Sequence, residues 1–403
     1  MKLNRFGSVV ALAAASSLTL AACGGDSEGE ESSETTTSES GDESAPAESE
    51  SGEESSPAES ESGGDDAAAG SYPAYSKTEG LSGDLKGVGS SAQEAAVKAW
   101  VAGYSEAGPG VTVNYSPDGS GAGQEQFLGG ATPWAGSDVA LDDEQMESAK
   151  DVCGDAGAVN LPAYISPIAL PFNIEGVDEL KLTPENIAKI FNGDIEKWND
   201  EAIAADNEGV ELPDEKIVVV ARSDESGTTA NFQDYLLAAA GDAWPHEGGK
   251  EFPAEAEKAK GTSGVVGVVK QTPNSIGYAD ASAIGDLKSV SVGVGGDFVS
   301  YSPEAAAKVV DGSEVMEGRP EGDMAMELKR DIEGSYPVVL VTYEIVCKQY
   351  DDQETADKVK DFLSYAISED AQNKAADEAG SAPISAATAE KISKVVSEIS
   401  AKG

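Results

Sequence analysis

The sequence predicts an α/β protein. From Leu81 onward, short runs of β-branched and apolar residues alternate with longer runs whose apolar residues recur at helical spacing. Glycine, proline and small polar residues separate these runs. Alternation of this kind is typical of sheets covered by helices. The length of 403 residues suits two domains of ordinary size plus extensions.

The composition excludes several classes of function. With 27 basic and 74 acidic residues, the formal net charge is −47, which argues against binding nucleic acid or an anionic membrane through a basic surface. The single histidine leaves little room for a multi-histidine metal site. A hydrophobic content of 39% with 6% aromatic residues is low for a compact protein, so we expect part of the chain to be unfolded.

Residues 1–22 have the pattern of a secretory signal. Lys2 and Arg5 precede seventeen uncharged, mainly apolar residues, a stretch that is short for a membrane span. The stretch ends in Leu-Ala-Ala-Cys at residues 20–23, which resembles the bacterial lipobox, whose cysteine is lipidated and becomes the mature N-terminus. The alternative is an ordinary signal followed by an incidental cysteine. We expect an exported lipoprotein that Cys23 anchors to the outer face of the cell membrane.

Residues 23–70 are predicted to be a disordered acidic tether. After Cys23 they hold 16 acidic residues and neither lysine nor arginine, and the ten-residue segments 43–52 and 54–63 are near-copies. Such a segment has no apolar surface to offset the entropy cost of ordering the chain. We interpret it as a stalk that lifts a folded body off the membrane; the alternative is an acidic tail that buffers metal ions.

The body contains recognisable strands and helices. Strands are predicted where β-branched and apolar residues cluster, at 111–115, 217–221, 264–269 and 337–346. Helices are predicted where apolar residues recur every three to four positions, at 91–107, 184–192, 228–240, 353–368 and 369–379.

Three turns place small polar residues between a strand and a helix, at residues 87–94, 119–123 and 222–229. In the first turn, Ser91 and Glu94 have the spacing of a capping box. Each turn would present free backbone N–H groups and a hydroxyl at the positive end of a helix. One such turn is commonly only a cap. Three in one chain, one of them beginning with an arginine, favour an anion site. No Walker A sequence is present.

Two further features are ambiguous on their own. In the run 135–140, Asp138 follows three small residues that read as the end of a strand, where an aspartate is commonly a turn residue or a helix cap. Beside an anion it would add repulsion unless the ligand carries a proton. The glycine run 293–296 is interpreted as a turn.

These stretches, in this order, resemble the phosphate-binding proteins of bacterial ABC-type high-affinity phosphate uptake. The Arg-x-Asp-x-Ser-Gly-Thr sequence at 222–228 is the most specific part of the resemblance, which covers most of residues 81–390. The matching runs are 87–94, 113–123 (VNYSPDGSGAG), 135–141 (AGSDVAL), 190–200 (IFNGDIEKWND), 218–231 (VVVARSDESGTTAN), 273–278 (PNSIGY) and 336–348 (YPVVLVTYEIVCK).

The resemblance implies a two-lobed periplasmic-binding-protein-like fold of type II, which closes over one phosphate ion in the cleft between its lobes. One lobe would comprise residues 80–164 and 337–403, and the other residues 165–336. The ligand would be inorganic phosphate, with no cofactor, no metal and no catalysis. The partners would be the transmembrane subunits of an ABC permease. The protein would be a monomer that meets the membrane only through its lipid anchor.

The resemblance also assigns site residues. Those expected to hold phosphate are Ser91, the backbone N–H of Ala92, Ser120, Asp138 as the acceptor of the ligand's proton, Arg222, Ser226, Gly227 and Thr228. Asp224 would orient the guanidinium. The sequence departs from the family at Ala92, where many relatives have phenylalanine, and at Glu225, where glycine is frequent. Glu225 is therefore expected to point to solvent.

The two cysteines of the body are expected to pair. Cys153 and Cys347 fall in the same proposed lobe of an exported protein, where disulfides are stable. The alternative is two buried free thiols.

Three alternative functions stay open at this point. The nearest is a binding protein for sulfate or another oxyanion. A serine hydrolase or phosphatase using Ser226 or Ser120 would need a base, yet His246 lies in a loop-like stretch and no G-x-S-x-G sequence is present. A surface lipoprotein or adhesin would bind no stoichiometric small ligand.

Overall fold

The computed structural model describes residues 70–403. The predicted signal at 1–22, the lipidation site Cys23 and the rest of the tether up to residue 69 lie outside the described residues. Within residues 70–403, none of the helices combines the length and the apolar character needed to cross a bilayer.

The described part of the chain forms eighteen strands, many of them short. They are β1 (Gly83–Gly89), β2 (Val111–Ser116), β3 (Trp134–Ser137), β4 (Ala158–Ala169), β5 (Pro171–Asn173), β6 (Lys181–Leu182), β7 (Val218–Arg222), β8 (Glu257–Ala259), β9 (Ser275–Gly277), β10 (Ala279–Asp280), β11 (Lys288–Ser289), β12 (Ser291–Val294), β13 (Asp297–Val299), β14 (Glu314–Val315), β15 (Met326–Glu327), β16 (Val339–Cys347), β17 (Gln349–Tyr350) and β18 (Ser400–Ala401).

Twelve α-helices alternate with these strands in residues 70–403. They are α1 (Glu94–Ala107), α2 (Ser120–Leu128), α3 (Asp143–Ser148), α4 (Lys150–Cys153), α5 (Pro184–Asn192), α6 (Glu201–Asp206), α7 (Gly227–Ala240), α8 (Gly261–Gln271), α9 (Pro303–Asp311), α10 (Gln353–Ala366), α11 (Glu369–Ala379) and α12 (Ala386–Glu398).

Two mixed sheets organise the molecule. The first has six strands in the order β10-β4-β16-β3-β1-β2, and the second has five in the order β11-β5-β9-β7-β8. In the first sheet β1 runs parallel to β2 and β3, while β16 runs antiparallel to β3 and β4. In the second sheet β7 runs parallel to β8 and β9. The parallel strands β1, β2, β3, β7 and β8 are each followed by a helix, as the alternation in the sequence predicts, whereas β9 leads into β10.

The two sheets are connected through one long buried strand. All twelve residues of β4 are buried, and the chain passes from its end at Ala169 into β5 of the five-stranded sheet after a single residue. The lobe boundary expected at residues 164/165 falls inside this strand. The lobe limits therefore remain a proposal.

One predicted element is wrong. Residues 264–269, expected to be a strand, lie inside helix α8. Thr262, Val265 and Val269 are its buried residues, and they are spaced three and four positions apart, which is the spacing of one helical face. The run of β-branched residues suggested a strand, but a short apolar run of this kind fits either a strand or a buried helix.

A disulfide joins the two cysteines of the body. Cys153 ends α4 and Cys347 ends β16, and their Cα atoms lie 5.0 Å apart. Both residues are buried. The predicted pairing is therefore confirmed, and the bond links segments 194 positions apart in sequence.

Candidate functional site

The candidate site lies where four strand–turn–helix units meet. Strands β1, β2, β7 and β8 lead into helices α1, α2, α7 and α8 respectively, and contacts between the four turns bring them together. In open α/β sheets, ligands bind outside the carboxyl ends of the strands. The N-terminus of a helix is also the place where backbone N–H groups are free for an anion. Both features coincide at these turns.

Arg222 is held in a fixed orientation by Asp224. Arg222 is the last residue of β7, and its Nε and Nη2 donate to Asp224 Oδ1 and Oδ2 at 2.9 and 2.5 Å. The arginine side chain is 2% exposed. Burial tends to raise the pKa of Asp224, but the hydrogen bonds and charge of Arg222 outweigh it and lower the pKa below its usual range. The pair therefore stays ionised, with one side of the guanidinium occupied.

Asp138 follows β3 and is almost completely buried, with 4% exposure. Its Oδ1 accepts from Thr342 Oγ1 at 2.8 Å, and its Oδ2 accepts from Thr228 Oγ1 at 3.2 Å. Burial raises the pKa of Asp138, while hydrogen bonds from Ser90, Thr342 and Thr228 and the charge of Arg222 act in the opposite direction. Asp138 is thus a buried carboxylate surrounded by hydroxyl donors.

Thr228 connects the aspartate to the arginine. Its Oγ1 donates to Asp138 Oδ2 and lies 3.4 Å from Arg222 Nη1, which donates to it. Asp138 directly follows β3 of the six-stranded sheet and Arg222 ends β7 of the five-stranded sheet, so these contacts join residues carried by different sheets. A buried acceptor and a buried cation thereby lie on either side of one hydroxyl.

Gly227 and Ser120 approach each other more closely than a side chain at position 227 would allow. A Cβ atom on Gly227 would lie 2.5 Å from Ser120 Oγ and 2.7 Å from Asp138 Cβ. Ser120 begins α2, and its Oγ accepts from the backbone N–H of Asp138 at 3.1 Å. The first turns of α2 and α7 therefore meet face to face at a position that requires glycine.

Ser226 serves as the N-cap of α7. Its Oγ accepts from the backbone N–H of Thr229 at 3.2 Å, and the residue is fully buried. The hydroxyl has a structural role in addition to any contact with a ligand. Ser226 lies next to the Gly227–Thr228 turn, as the sequence predicts.

The first turn differs from its prediction. Helix α1 begins after Gln93, with no side-chain cap, so Ser91 and Glu94 do not form a capping box. Ser91 Oγ instead accepts from the backbone N–H of Thr262 at 3.0 Å and lies 3.1 Å from Thr262 Oγ1. The backbone N–H of Ala92 donates to Ser90 Oγ at 3.0 Å. The predicted capping box is therefore wrong, and the Ser91 hydroxyl contacts the N-terminus of α8 instead of capping α1.

The structure adds three residues that the sequence analysis did not identify. Thr262 and Thr342 are the partners of Ser91 and Asp138 described above. The third, Asn231, donates from Nδ2 to the backbone oxygens of Asp138 and Gly227 at 2.7 and 3.1 Å. The Gly-Thr-Ser-Gly sequence at 261–264 resembles the other polar turns, but the run after it was interpreted as a strand, which concealed a fourth helix N-terminus.

Glu225 lies beside the site without contacting the guanidinium. Its residue is exposed, and its backbone oxygen accepts from the N–H of Gly121 at 3.0 Å. A Cβ atom on Gly121 would lie 2.5 Å from Glu225 Oε2, so this carboxylate rests against the first turn of α2. The positive end of that helix favours a negative charge there.

The serine–histidine pair that a serine hydrolase would need is not present among the described residues. His246 Nε2 lies 2.7 Å from Asn192 Oδ1, and its ring packs edge-on against Trp244; among residues 70–403 it has no hydrogen bond to Ser120 or Ser226. Within the same range, no three His, Cys, Asp or Glu side chains are grouped in a way that could hold a metal ion.

Comparison with known proteins places this geometry in a family. A match to the PBP superfamily domain spans residues 33–370. The chain is 37% identical over 379 residues to phosphate-binding protein PstS 3 of Mycobacterium tuberculosis, covering 91% of this chain and 92% of the relative. It is 35% identical over 410 residues to phosphate-binding protein PstS 2 of the same organism, covering 99% and 100%.

A solved structure agrees on the fold. The crystal structure of a phosphate-binding protein from Stenotrophomonas maltophilia matches with a TM-score of 0.57 and 20% identity, covering 77% of this chain and 93% of that one. This likeness confirms the predicted two-lobed α/β fold of the periplasmic-binding-protein type. The chain belongs to the PBP superfamily, and within it to the family of phosphate-binding proteins.

Proposed function

We propose that this protein captures inorganic phosphate outside the cytoplasm and delivers it to an ABC permease. The observation that carries the proposal is the junction of Asp138, Thr228 and Arg222 between the two sheets. An anion that bears a proton can bind to both the carboxylate and the guanidinium of this junction. The ligand's O–H donates to the carboxylate, while its other oxygens accept from the guanidinium and the helix N-termini. The function is binding and delivery, without catalysis and without a cofactor.

In this proposal the contacts are shared between the two sheets. Ser91, the N–H of Ala92, Ser120 and Asp138 hold phosphate from the six-stranded side, and Arg222, Ser226, Gly227 and Thr228 hold it from the five-stranded side. Asp224 orients the guanidinium. Contact with the N–H of Ala92 requires the Ser90 hydroxyl, which accepts from it in the structure, to turn away.

We further propose that the lobes comprise residues 80–164 with 337–403 and residues 165–336. The division of the strands between two sheets supports two lobes. The chain joins the lobes at β4 and the residue after it, and again at residues 336–337 before β16, so a closing motion would have to pivot at both places.

The remaining parts of the proposal concern the setting of the protein. The lipobox-like sequence at residues 20–23 supports lipidation at Cys23 and anchoring to the outer face of the membrane. The acidic tether of residues 23–70 would give the body reach toward the transmembrane subunits of the permease. We propose that the protein acts as a monomer.

Isothermal titration of ligand-stripped protein tests the central proposal. We expect stoichiometric binding of phosphate and of arsenate, which has the same charge and also keeps a proton, and no competing binding of sulfate. Tight binding of sulfate in place of phosphate would support the other oxyanion class. The absence of binding by any of the three would contradict the proposal.

A further inference from the structure

One buried acid near the site has no part in the function described so far. Glu344 lies in the middle of β16, between Gly136 of β3 and Leu161 of β4, and its exposure is 0%. Neither of its carboxylate oxygens has a hydrogen-bond partner among residues 70–403. A buried carboxylate without a partner is expensive because it loses its hydration, whereas a neutral carboxyl has one O–H to donate.

The neighbouring Gln93 has a buried acceptor that lacks a hydrogen-bond donor among the described residues. Gln93 is also fully buried, and its Oε1 has no hydrogen-bond donor among the described residues. The two side chains are neighbours, since the Gln93 amide lies against Gly136, which is the residue of β3 directly opposite Glu344 of β16. A Cβ atom on Gly136 would lie 1.7 Å from Gln93 Nε2, so this glycine is what allows the amide to lie over β3.

The Gln93 amide leads directly to the first turn of the site. Its Nε2 donates to Tyr115 Oη at 3.0 Å, and Tyr115 Oη donates to the backbone oxygen of Ser90 at 2.8 Å. The Tyr115 hydroxyl uses its only proton on Ser90, so it cannot also supply Gln93 Oε1. Ser90 in turn receives the N–H of Ala92 on its Oγ. Gln93 Oε1 therefore still needs a hydrogen-bond donor, and the neighbouring Glu344 can provide one when its carboxyl is protonated.

We propose that Glu344 is held as a neutral acid whose O–H donates to Gln93 Oε1, and that it thereby positions the Ser90–Ala92 turn for the anion. This inference rests on the proposed function, because it assigns Glu344 to the positioning of residues that bind phosphate. Glu344 is a positioning residue: it acts through Gln93 and Tyr115 and does not touch the ligand.

The surroundings make this donor sensitive to pH. The titratable groups that face Glu344 are Tyr115 on β2 and Asp138 at the end of β3; Glu94 at the start of α1 acts on Tyr115, and Arg222 acts on Asp138. Burial raises the pKa of Glu344 to about 8, with a further increase from the charge of Asp138, while the Gln93 amide acts to lower it. Above that pH the donor is lost and a second negative charge appears beside Asp138.

The test compares the wild type with Glu344→Gln across pH. Glutamine keeps the size, stays neutral and supplies an N–H donor. We expect equal phosphate dissociation constants near pH 6, followed by a steady weakening of the wild type relative to the variant. Above the pKa of Glu344 the ratio of their dissociation constants should rise by about two- to tenfold and then level off, because ionisation removes the one buried hydrogen bond that the variant keeps. The ionisation of phosphate itself is the same for both proteins and cancels in the ratio.

Two further measurements separate positioning from simple packing. Glu344→Ile removes the donor, so its affinity should fall by about two- to tenfold at every pH, for the loss of one buried hydrogen bond. An infrared difference spectrum of wild type minus Glu344→Gln at neutral pH should contain the C=O band of a protonated carboxyl. This spectrum does not depend on ligand and remains informative if either variant unfolds at a lower temperature.

The outcomes are distinct. Parallel pH profiles of wild type and Glu344→Gln, or the lack of a carboxylic-acid band in the wild type, would overturn this inference and leave phosphate binding intact. Failure of the wild type to bind phosphate at any pH would instead contradict the proposed function.

Discussion

Arg222 and Asp224 form a bidentate ion pair in which two hydrogen bonds of 2.9 and 2.5 Å orient the guanidinium. An arginine fixed in this way can present its remaining N–H groups to two oxygens of an anion, whereas a lysine ammonium offers only a point charge. The sequence run 222–228 predicted both residues and their order. It could not predict that Tyr278 Oη also accepts the backbone N–H of Arg222 at 3.2 Å.

We therefore predict that Arg222→Lys raises the phosphate dissociation constant by about ten- to a hundredfold, which corresponds to about 1.5–3 kcal/mol for a lost charge-assisted hydrogen bond. The fold should persist because the positive charge beside Asp224 is retained. Isothermal titration measures the change. Arg319→Lys is the matched control, since Arg319 is another buried arginine whose Nε donates to an aspartate, Asp323, at 2.8 Å. Unchanged affinity in Arg222→Lys would exclude contact with the ligand.

Asp138 is predicted to select phosphate over sulfate. Near neutral pH phosphate keeps a proton and sulfate does not, so an acceptor-only carboxylate gains a hydrogen bond from one and meets only lone pairs of the other. A site that leaves a buried polar group unpaired can discriminate by about 10⁴–10⁵. Asp138→Asn supplies a donor, so sulfate should begin to compete while phosphate binding survives.

Competition titration with sulfate measures this selectivity. Asp143→Asn is the control, because Asp143 is a nearby carboxylate that is fully exposed, with 104% side-chain exposure. It removes the same formal charge without altering the buried acceptor. If Asp138→Asn and the wild type exclude sulfate equally, Asp138 is a structural turn residue and not a selectivity residue.

At the scale of elements, the sequence predicts the limits of those helices and strands that are set by neighbouring residues. Helix α5 begins at Pro184 and ends at Asn192 as expected, because a threonine cap, a first-turn proline and a closing glycine mark its limits. Strands β2 and β7 agree with their apolar runs within one residue at each end. Contacts between distant elements were not predictable in this way. No local pattern indicates that Thr342 of β16 donates to Asp138 across 204 positions of sequence.

Helix α8, whose residues 264–269 were predicted to be a strand, contributes two hydrogen bonds to the site. Its first two residues donate to the turns after β7 and β1. Gly261 N–H donates to Asp224 Oδ1 at 2.9 Å, and Thr262 N–H donates to Ser91 Oγ at 3.0 Å. The second contact joins residues 171 positions apart and links the turns after β1 and β8. Thr262 thus links the turns after β1 and β8, which would have to separate for a ligand to leave if the lobes close as proposed.

Thr262→Val should accordingly speed the release of phosphate. Valine keeps the shape and the backbone N–H but removes the hydroxyl that lies 3.1 Å from Ser91 Oγ. Loss of one neutral hydrogen bond of about 0.5–1.5 kcal/mol corresponds to a two- to tenfold faster dissociation rate. Stopped-flow displacement of bound phosphate measures it, with Ser263→Ala, the exposed neighbour, as the control. Equal release rates in all three proteins would show that Thr262 does not hold the sides together.

At the scale of the whole molecule, the disulfide closes a very long loop. Cys153 and Cys347 are separated by 194 positions, and on the chain-entropy model such a cross-link disfavours the unfolded state by about 5 kcal/mol. The double variant Cys153→Ser with Cys347→Ser should unfold at a clearly lower denaturant concentration. Its phosphate affinity should be unchanged, because neither cysteine contacts the proposed binding residues. Equal unfolding midpoints of the wild type and the double variant would contradict this prediction, because they would show that the disulfide does not raise the free energy of unfolding.

The charge of the whole body should affect the rate of encounter more than the stability of the complex. Residues 71–403 hold 25 basic and 58 acidic side chains, a net of −33, so an approaching phosphate meets a repulsive field. In the proposed site, a bound ion would interact at contact range with one arginine and with N–H and O–H donors. Distant charges are screened beyond about 8 Å at physiological salt.

Raising the concentration of potassium chloride from about 0.01 to about 0.15 M should therefore increase the association rate several-fold and change the dissociation rate by less than about twofold. Stopped-flow kinetics at both salt concentrations measures the two rates, and an unrelated chloride salt at equal ionic strength is the control for specific ion effects. A fall in the association rate with increasing salt would contradict the prediction, because it would show that phosphate is attracted to the site and not repelled by the body. The positive helix ends and Lys250, whose Nζ donates to Gln124 Oε1 at 2.6 Å beside α2, would then steer the anion in spite of the acidic body.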